Sequence, residues 1–169
     1  MADRGYDAVS IEEIARAAGL GKGTVLAHFS EKLAILAAFH AERLAEVASI
    51  VRDLPLPAAP AQLAQALWPL VAALCADPAC IRLATAEATD PARQDLAAAE
   101  AALRQEVHFV LKLSGHDHPQ LAGELVEAAL LHVALAARAR FQSEGRTVAL
   151  VQARRRLADL LTLVLREPL

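Results

Sequence analysis

Aromatic residues make up only 4% of the 169-residue chain, with a single Trp and a single Tyr, and runs of β-branched residues are scarce. Sheet cores lean on both, so the composition argues against a sandwich or barrel, and the dominance of Ala and Leu argues for an all-α protein. Cysteine is also rare: Cys75 and Cys80 stand five apart in an apolar helical stretch. Without a second pair or a His at ligand spacing they make no zinc site, and they read as buried free thiols in a reducing compartment. The longest apolar stretches are broken by charge short of the ~20 residues a membrane span needs, and the start MADRGYD is too polar for a secretory signal. A soluble, cytoplasmic protein with no membrane partner is expected. Positive charge is not in surplus either, since the formal net charge is −3. No global field draws the chain onto nucleic acid, so any DNA contact must rest on a local face. Paired carboxylates or a Ser-His-Asp set in an ordered context are missing too, so neither an enzyme nor a cofactor is expected.

What is present is ample material for helices: 56% of residues are hydrophobic and 22% charged. Ser10 opens SIEEIARAAG with Glu13 three residues on, a capping box that starts a short helix with Ile11, Ile14, Ala15 and Ala18 on one face. Gly19 stops it. A second short helix is expected from Lys22 to Phe29, and a third, long one follows Ser30, with Leu33, Leu36, Ala37, His40, Leu44 and Val47 on one stripe. The three prolines of LPLPAAP, Leu54 to Pro60, forbid continued helix and mark the clearest boundary, dividing residues 1–53 from 54–169. Helices are then expected at 61–76, 78–89, 91–114, 119–143 and 147–167, with Asp77-Pro78 and Asp90-Pro91 suited to helix starts. In the last helix Val148, Val151, Leu157, Leu160, Leu161 and Val164 are expected inward.

The stretch GLGKGTVLAHFSEK, Gly19 to Lys32, carries the chemistry. As a phosphate loop it fails: Lys22 is followed by Gly23 instead of Ser or Thr, Arg16 stands where the first glycine belongs, and a capped helix precedes it instead of a strand. Its glycine spacing does not fit a dinucleotide fingerprint either. Helix, glycine turn and helix is the geometry of a helix-turn-helix. Ala15 lets the helices approach, and Ile14, Leu20, Val25 and Phe29 form the expected shared core. Gly21 sits at the cap, and Lys22, Gly23 and Thr24 form the first turn of a recognition helix, where residues face base edges in the major groove. Lysine can donate to guanine, threonine can touch base edges or methyls, and glycine lets the helix come close. Ser10 and Lys32, at flanking helix starts, are placed for phosphates.

These residues resemble the DNA-binding signature of the TetR family of transcriptional regulators. The likeness runs from Gly5 to about Phe39: the Gly-Tyr entry, I-A-x-x-A-G, G-T-V, H-F and the following lysine fall in register. The resemblance implies an all-α homodimer with an N-terminal helix-turn-helix and a larger ligand-binding and dimerisation domain. It implies a repressor that leaves a palindromic DNA operator when an unidentified small-molecule effector binds. It adds Ala27 and His28 to Ser10, Gly21, Lys22, Gly23, Thr24 and Lys32 as DNA-facing positions. The chain departs from the pattern in four ways. Only MADR precedes Gly5 where the family carries a helix, which leaves Ile11, Ile14 and Phe29 under-covered. Leu26 replaces a tyrosine, Gly21 replaces a serine cap, and eight acids outnumber six bases across residues 1–53. Electrostatic affinity falls with each lost phosphate contact. Either upstream residues are missing from this chain, which the intact remainder of the motif favours, or the reading head is degenerate and only a helical ligand-binding and dimerisation module survives.

Elsewhere, Trp68, Cys75, His108, Phe109 and His132 are polar-tipped or aromatic groups on aliphatic helices, suited either to line an apolar effector pocket or to sit satisfied in a core. GHDHP, Gly115 to Pro119, reads as a solvated loop with a helix cap, with no metal expected there. Arg154 to Arg156 read as a solvated face. The last two helices are apolar on more than one stripe, fitting either a monomer core or, as the resemblance favours, a four-helix dimer interface.

Overall fold

A computed structural model describes residues 6–85 and 91–165. Among them no strand occurs. A 3-10 turn, Tyr6–Ala8, leads into α1 (Ile11–Ala17), α2 (Lys22–His28), α3 (Lys32–Arg52), α4 (Pro60–Ala76), α5 (Pro78–Thr85), α6 (Pro91–Leu113), α7 (Pro119–Glu144) and α8 (Arg146–Val164). The expected helices are all there. The fate of the fifth beyond Thr85, and the Asp90 cap, lie outside the described residues. Asp77 does start α5: its Oδ1 accepts the Ala79 N–H at 2.8 Å. Pro69 stands inside α4 without ending it, although it removes one ladder donor.

Helices α3 to α8 form a body. α3 lies along α6, α7 along α8, and α4 runs between them, touching α3, α7 and α8. Leu63, Leu67 and Val71 of α4, Val126 and Val133 of α7, and Leu157 and Leu161 of α8 make the main core. Val47, Ala48 and Val51 of α3 join it, so this core draws on both sides of the proline-rich connection. That connection is itself fastened, with the Ala58 N–H donating to Ser114 Oγ at 2.9 Å. Arg52 on α3 also pairs with Glu106 on α6.

The head, α1 with α2, is thin. The helices pack on each other, yet only Ala15 and Val25 are fully buried there. Ile11, Ile14 and Phe29 are half-buried. Leu20 corrects the expected core: it is 50% exposed, because the chain turns outward after Gly19.

α8 brings a second correction. Leu157 and Leu161 are buried as expected, and Leu160 and Val164 pack partly against the core, but Val148 and Val151 face outward, half exposed. On α7, Val126, Val133 and Ala137 are buried while Leu121, Leu125, Leu131 and Leu135 are exposed. This two-sided apolarity makes α7 long and apolar enough to cross a membrane by length and composition, contrary to expectation, with a mean hydropathy of 1.3 over its best stretch. About two fifths of that stretch (39%) is buried inside the body.

Candidate nucleic-acid interface and effector cavity

Local chemistry sets the head. The Ser10 hydroxyl accepts the Glu13 N–H at 3.2 Å while Glu13 Oε2 accepts the Ser10 N–H at 2.8 Å, closing the capping box. Gly19 takes φ +69°, a region that favours glycine, and the Leu20 N–H returns to the Ala15 carbonyl at 2.8 Å, ending α1. Gly21 is the N-cap of α2 and gives no side-chain bond, so the first turn of α2 has no side-chain cap. Lys22, Gly23, Thr24, Leu26, Ala27 and His28 are all exposed, and Val25 alone turns inward toward α1. A side chain at Gly23 would meet open space, so no internal packing demands glycine there; bare backbone lies on the outer face.

Of the expected DNA-facing set, Ser10, Gly21, Lys22, Gly23, Thr24, Ala27 and His28 are exposed and Lys32 is half-buried, and three members already have partners. Ser10 is held in its cap. The Lys22 ammonium donates to Glu12 one turn into α1, both half exposed, and this bond is the main reason the Glu12 carboxyl lies below its ordinary range. Lys32 faces backward: its Nζ donates to the Tyr6 and Val9 carbonyls at 2.7 and 2.8 Å and sits 4.1 Å from the Tyr6 ring centre. It fastens the entry turn onto α3. A further bond joins head to body, from the Tyr6 N–H to Asp77 Oδ2, on the residue that caps α5.

In the body, a cavity of about 300 Å³ opens between α3, α4, α5, α6 and α7. Leucines and valines wall it, among them Leu67, Leu70, Leu103 and Leu130. One polar point is His40 of α3 with its Nε2 2.9 Å from Cys80 Sγ of α5. Burial pushes the Cys80 thiol up to about 11, with the Asp77 charge adding to it, and burial pushes the His40 imidazole down, aided by Arg43. Both are thus neutral near pH 7. The other point is Glu100, whose carboxyl burial raises, beside an Arg104–Glu127 pair that raises the guanidinium.

None of Trp68, Cys75, His108, Phe109 and His132 lines this cavity. Cys75 lies in the main core with its Sγ 3.7 Å from the Ala134 carbonyl, Trp68 packs against that core, and Phe109 is 53% exposed. His132 opens instead on a polar surface groove of about 360 Å³ between α7 and α8, with Arg140, Gln152 and Asp159. Reading for conspicuous residues missed His40, Glu100, Arg104 and Glu127. One signal was available: Leu96, Glu100, Leu103 and Val107 place an acid inside an apolar helical stripe. His118 precedes α7 without a side-chain cap bond, and among the described residues no three His, Cys, Asp or Glu side chains converge as metal ligands. Both cysteines are free and buried.

Residues 1–39 match the family model of bacterial regulatory proteins, tetR family. No curated protein and no solved structure matches the chain. The matched stretch takes in the capped α1, the Gly19 turn and the exposed start of α2, the parts from which a major-groove reader is made. The match over this N-terminal stretch, together with its geometry, supports a DNA-binding transcriptional regulator of the TetR family.

Proposed function

We propose that the protein acts in the cytoplasm as a homodimeric, effector-responsive repressor of a palindromic operator, without an enzymatic step. The observation that carries the reading is the start of α2, where Lys22, Gly23 and Thr24 stand exposed while Val25 anchors the helix to Ala15. In the proposed dimer two such helices lie about 34 Å apart, one turn of DNA. Leu121, Leu125, Leu135, Val148, Val151 and Leu163 leave an apolar face on α7 and α8 that suits a second copy. In the division at residues 53 and 54, α3 is the shaft: its start holds the head and its end lies in the body core.

Two contacts link cavity and head. Asp77 caps α5 with one oxygen and accepts the Tyr6 N–H with the other. His40, on the shaft, meets Cys80 on α5. An effector that separates α3 from α5 moves the shaft and changes the spacing of the two α2 helices.

The test is a gel-shift titration on the DNA upstream of the gene. Lys22→Ala and Thr24→Ala each weaken the complex about tenfold or more, the scale of a lost base contact, with helicity unchanged; shifts identical to the parent overturn the assignment of the head. Leu163→Asp, on the most exposed of these leucines, halves the sedimentation mass.

A second reading, a ligand-binding module that no longer engages DNA, is favoured by the Glu12–Lys22 pair, which occupies the lysine at the start of α2. Glu12→Gln distinguishes the two. It tightens operator binding if Lys22 competes between Glu12 and DNA, and it changes nothing in a chain that ignores DNA.

A further inference from the structure

The cavity's chemistry narrows its occupant. Its walls are aliphatic, and His40 is the only ring among the described lining residues, which therefore form no aromatic cage or stacking platform. At about 300 Å³ it holds roughly ten water-sized groups.

The polar end is unbalanced. Glu100 lies half-buried at the wall, and Arg104, one turn on along α6, is its natural partner. The guanidinium turns instead to Glu127 of α7, with Nε to Oε1 at 2.6 Å and Nη2 to Oε2 at 3.2 Å. Among the described residues no group donates a hydrogen bond to Glu100 or closes an ion pair with it, and the Arg104 and Arg93 charges lower its carboxyl less than burial raises it. Among the described lining residues two carboxylates, Glu100 and Glu127, therefore share one guanidinium, Arg104, and His40 is neutral. An anionic occupant would add a third negative charge to a desolvated site. A purely apolar one would seal an unpaired carboxylate from water, which costs more than either partner alone returns.

We infer that the effector is a small aliphatic molecule with one basic nitrogen, its body along Leu67, Leu70 and Leu130 and its ammonium against Glu100. This rests on the effector-responsive reading of the cavity. Burial holds the Glu100 carboxyl above its ordinary range, and an incoming cation reverses that, so binding releases a proton from the acid in weakly acidic buffer. Gly123, in the middle of α7, keeps the space open: it lines the cavity, and a side chain there would meet nothing within 4 Å.

Calorimetric titration of the full chain with octylammonium, octan-1-ol and octanoate tests this. Octylammonium binds at least about tenfold tighter than the alcohol, the scale of one charge-assisted hydrogen bond, and octanoate binds weakest. Glu100→Gln brings the amine within about twofold of the alcohol and leaves the alcohol unchanged. Should Glu100→Gln fail to fold, Glu127→Gln serves, since freeing Arg104 to pair with Glu100 also erases the preference. Gly123→Leu fills the cavity and removes all binding. Octanoate equal to or tighter than the amine, a preference that survives both carboxyl substitutions, or amine binding that survives Gly123→Leu overturns the proposal. Gel shifts with the same three probes separate it from the parent reading. Amine binding that depends on Glu100 but never releases the operator overturns effector response and keeps the ligand class. Release without preference for the amine does the reverse.

Discussion

The head and the body of this chain are held by different physics. In α1 and α2 only Ala15 and Val25 are buried, and Leu20 and Leu26 are 50% and 40% exposed. In the body, Leu67, Val71, Leu157 and Leu161 are wholly enclosed. The head keeps its shape through short-range devices, a capping box and a glycine turn, and keeps its place through a few polar bonds from Tyr6, Val9 and Lys32. The body keeps its shape by burying side chains between helices distant in sequence. A reading surface that needs exposed side chains has little left to bury, so its stability is borrowed from the shaft.

The sharpest way to break this comparison is to cut the same side chain in both places. Leu161→Ala removes a fully enclosed side chain and costs about 2–5 kcal/mol. Leu20→Ala, half exposed in the head, stays within about 0.5 kcal/mol. Urea unfolding followed by circular dichroism measures both, and equal losses would mean that the head shares the body's core.

Next in size is the fastening. Lys32→Met takes its donor from the Val9 carbonyl and leaves the Tyr6 carbonyl with the Val9 N–H, a loss of about 1–3 kcal/mol by the usual cost of an unsatisfied partly buried group. The loss falls on the head alone. Amide exchange speeds up across residues 6–30 while the unfolding midpoint of the body holds. A drop in that midpoint would make Lys32 part of the global fold.

The head was legible because its devices are local. Ser10 with Glu13, and Gly19 with φ +69°, act within a few residues, so the sequence carries them openly. The role of Lys32 was not legible, since its partners lie 26 and 23 residues away and a lysine at a helix start looks the same whether it faces phosphate or carbonyl. The cavity was harder still. It takes side chains from five helices, most of them ordinary leucines, and which leucine faces it depends on the rotation of each helix against its neighbours. Chemical rarity pointed to Trp68, Phe109 and His132; rotation put them in the core edge, in solvent and in another groove. The helix boundaries, by contrast, follow from prolines and caps, and they matched closely except where the described residues end.

A smaller effect separates the regions by pH. Burial depresses the His40 imidazole below its ordinary 6.5, so the unfolded chain takes up that proton first. Stability from neutral His40 is present above about pH 6.5 and is lost as pH falls through the window below it. Thermal melts at pH 7.5 and 5.5 show this loss in the body, and His40→Gln reduces it. An unchanged pH dependence in that variant would remove His40 from the buried contact with Cys80.

The smallest effect is the most discriminating, because it sets two glycines against each other. Gly123 sits in α7 with ordinary helical backbone and open space where a Cβ would go. Gly123→Ala restricts the unfolded chain and adds a methyl to the cavity wall, stabilising the body by about 0.5–1 kcal/mol. Gly19 also has open space around it, but its φ of +69° strains any other side chain. Gly19→Ala therefore loses about 1 kcal/mol or more in the head. The opposite signs follow from what each glycine does: one holds a turn, the other holds a volume. If Gly123→Ala destabilises, the cavity closes in solution and Gly123 is a packing residue. If it stabilises and also weakens octylammonium binding, the body is giving up stability to keep a site open, as the head does to keep a surface exposed.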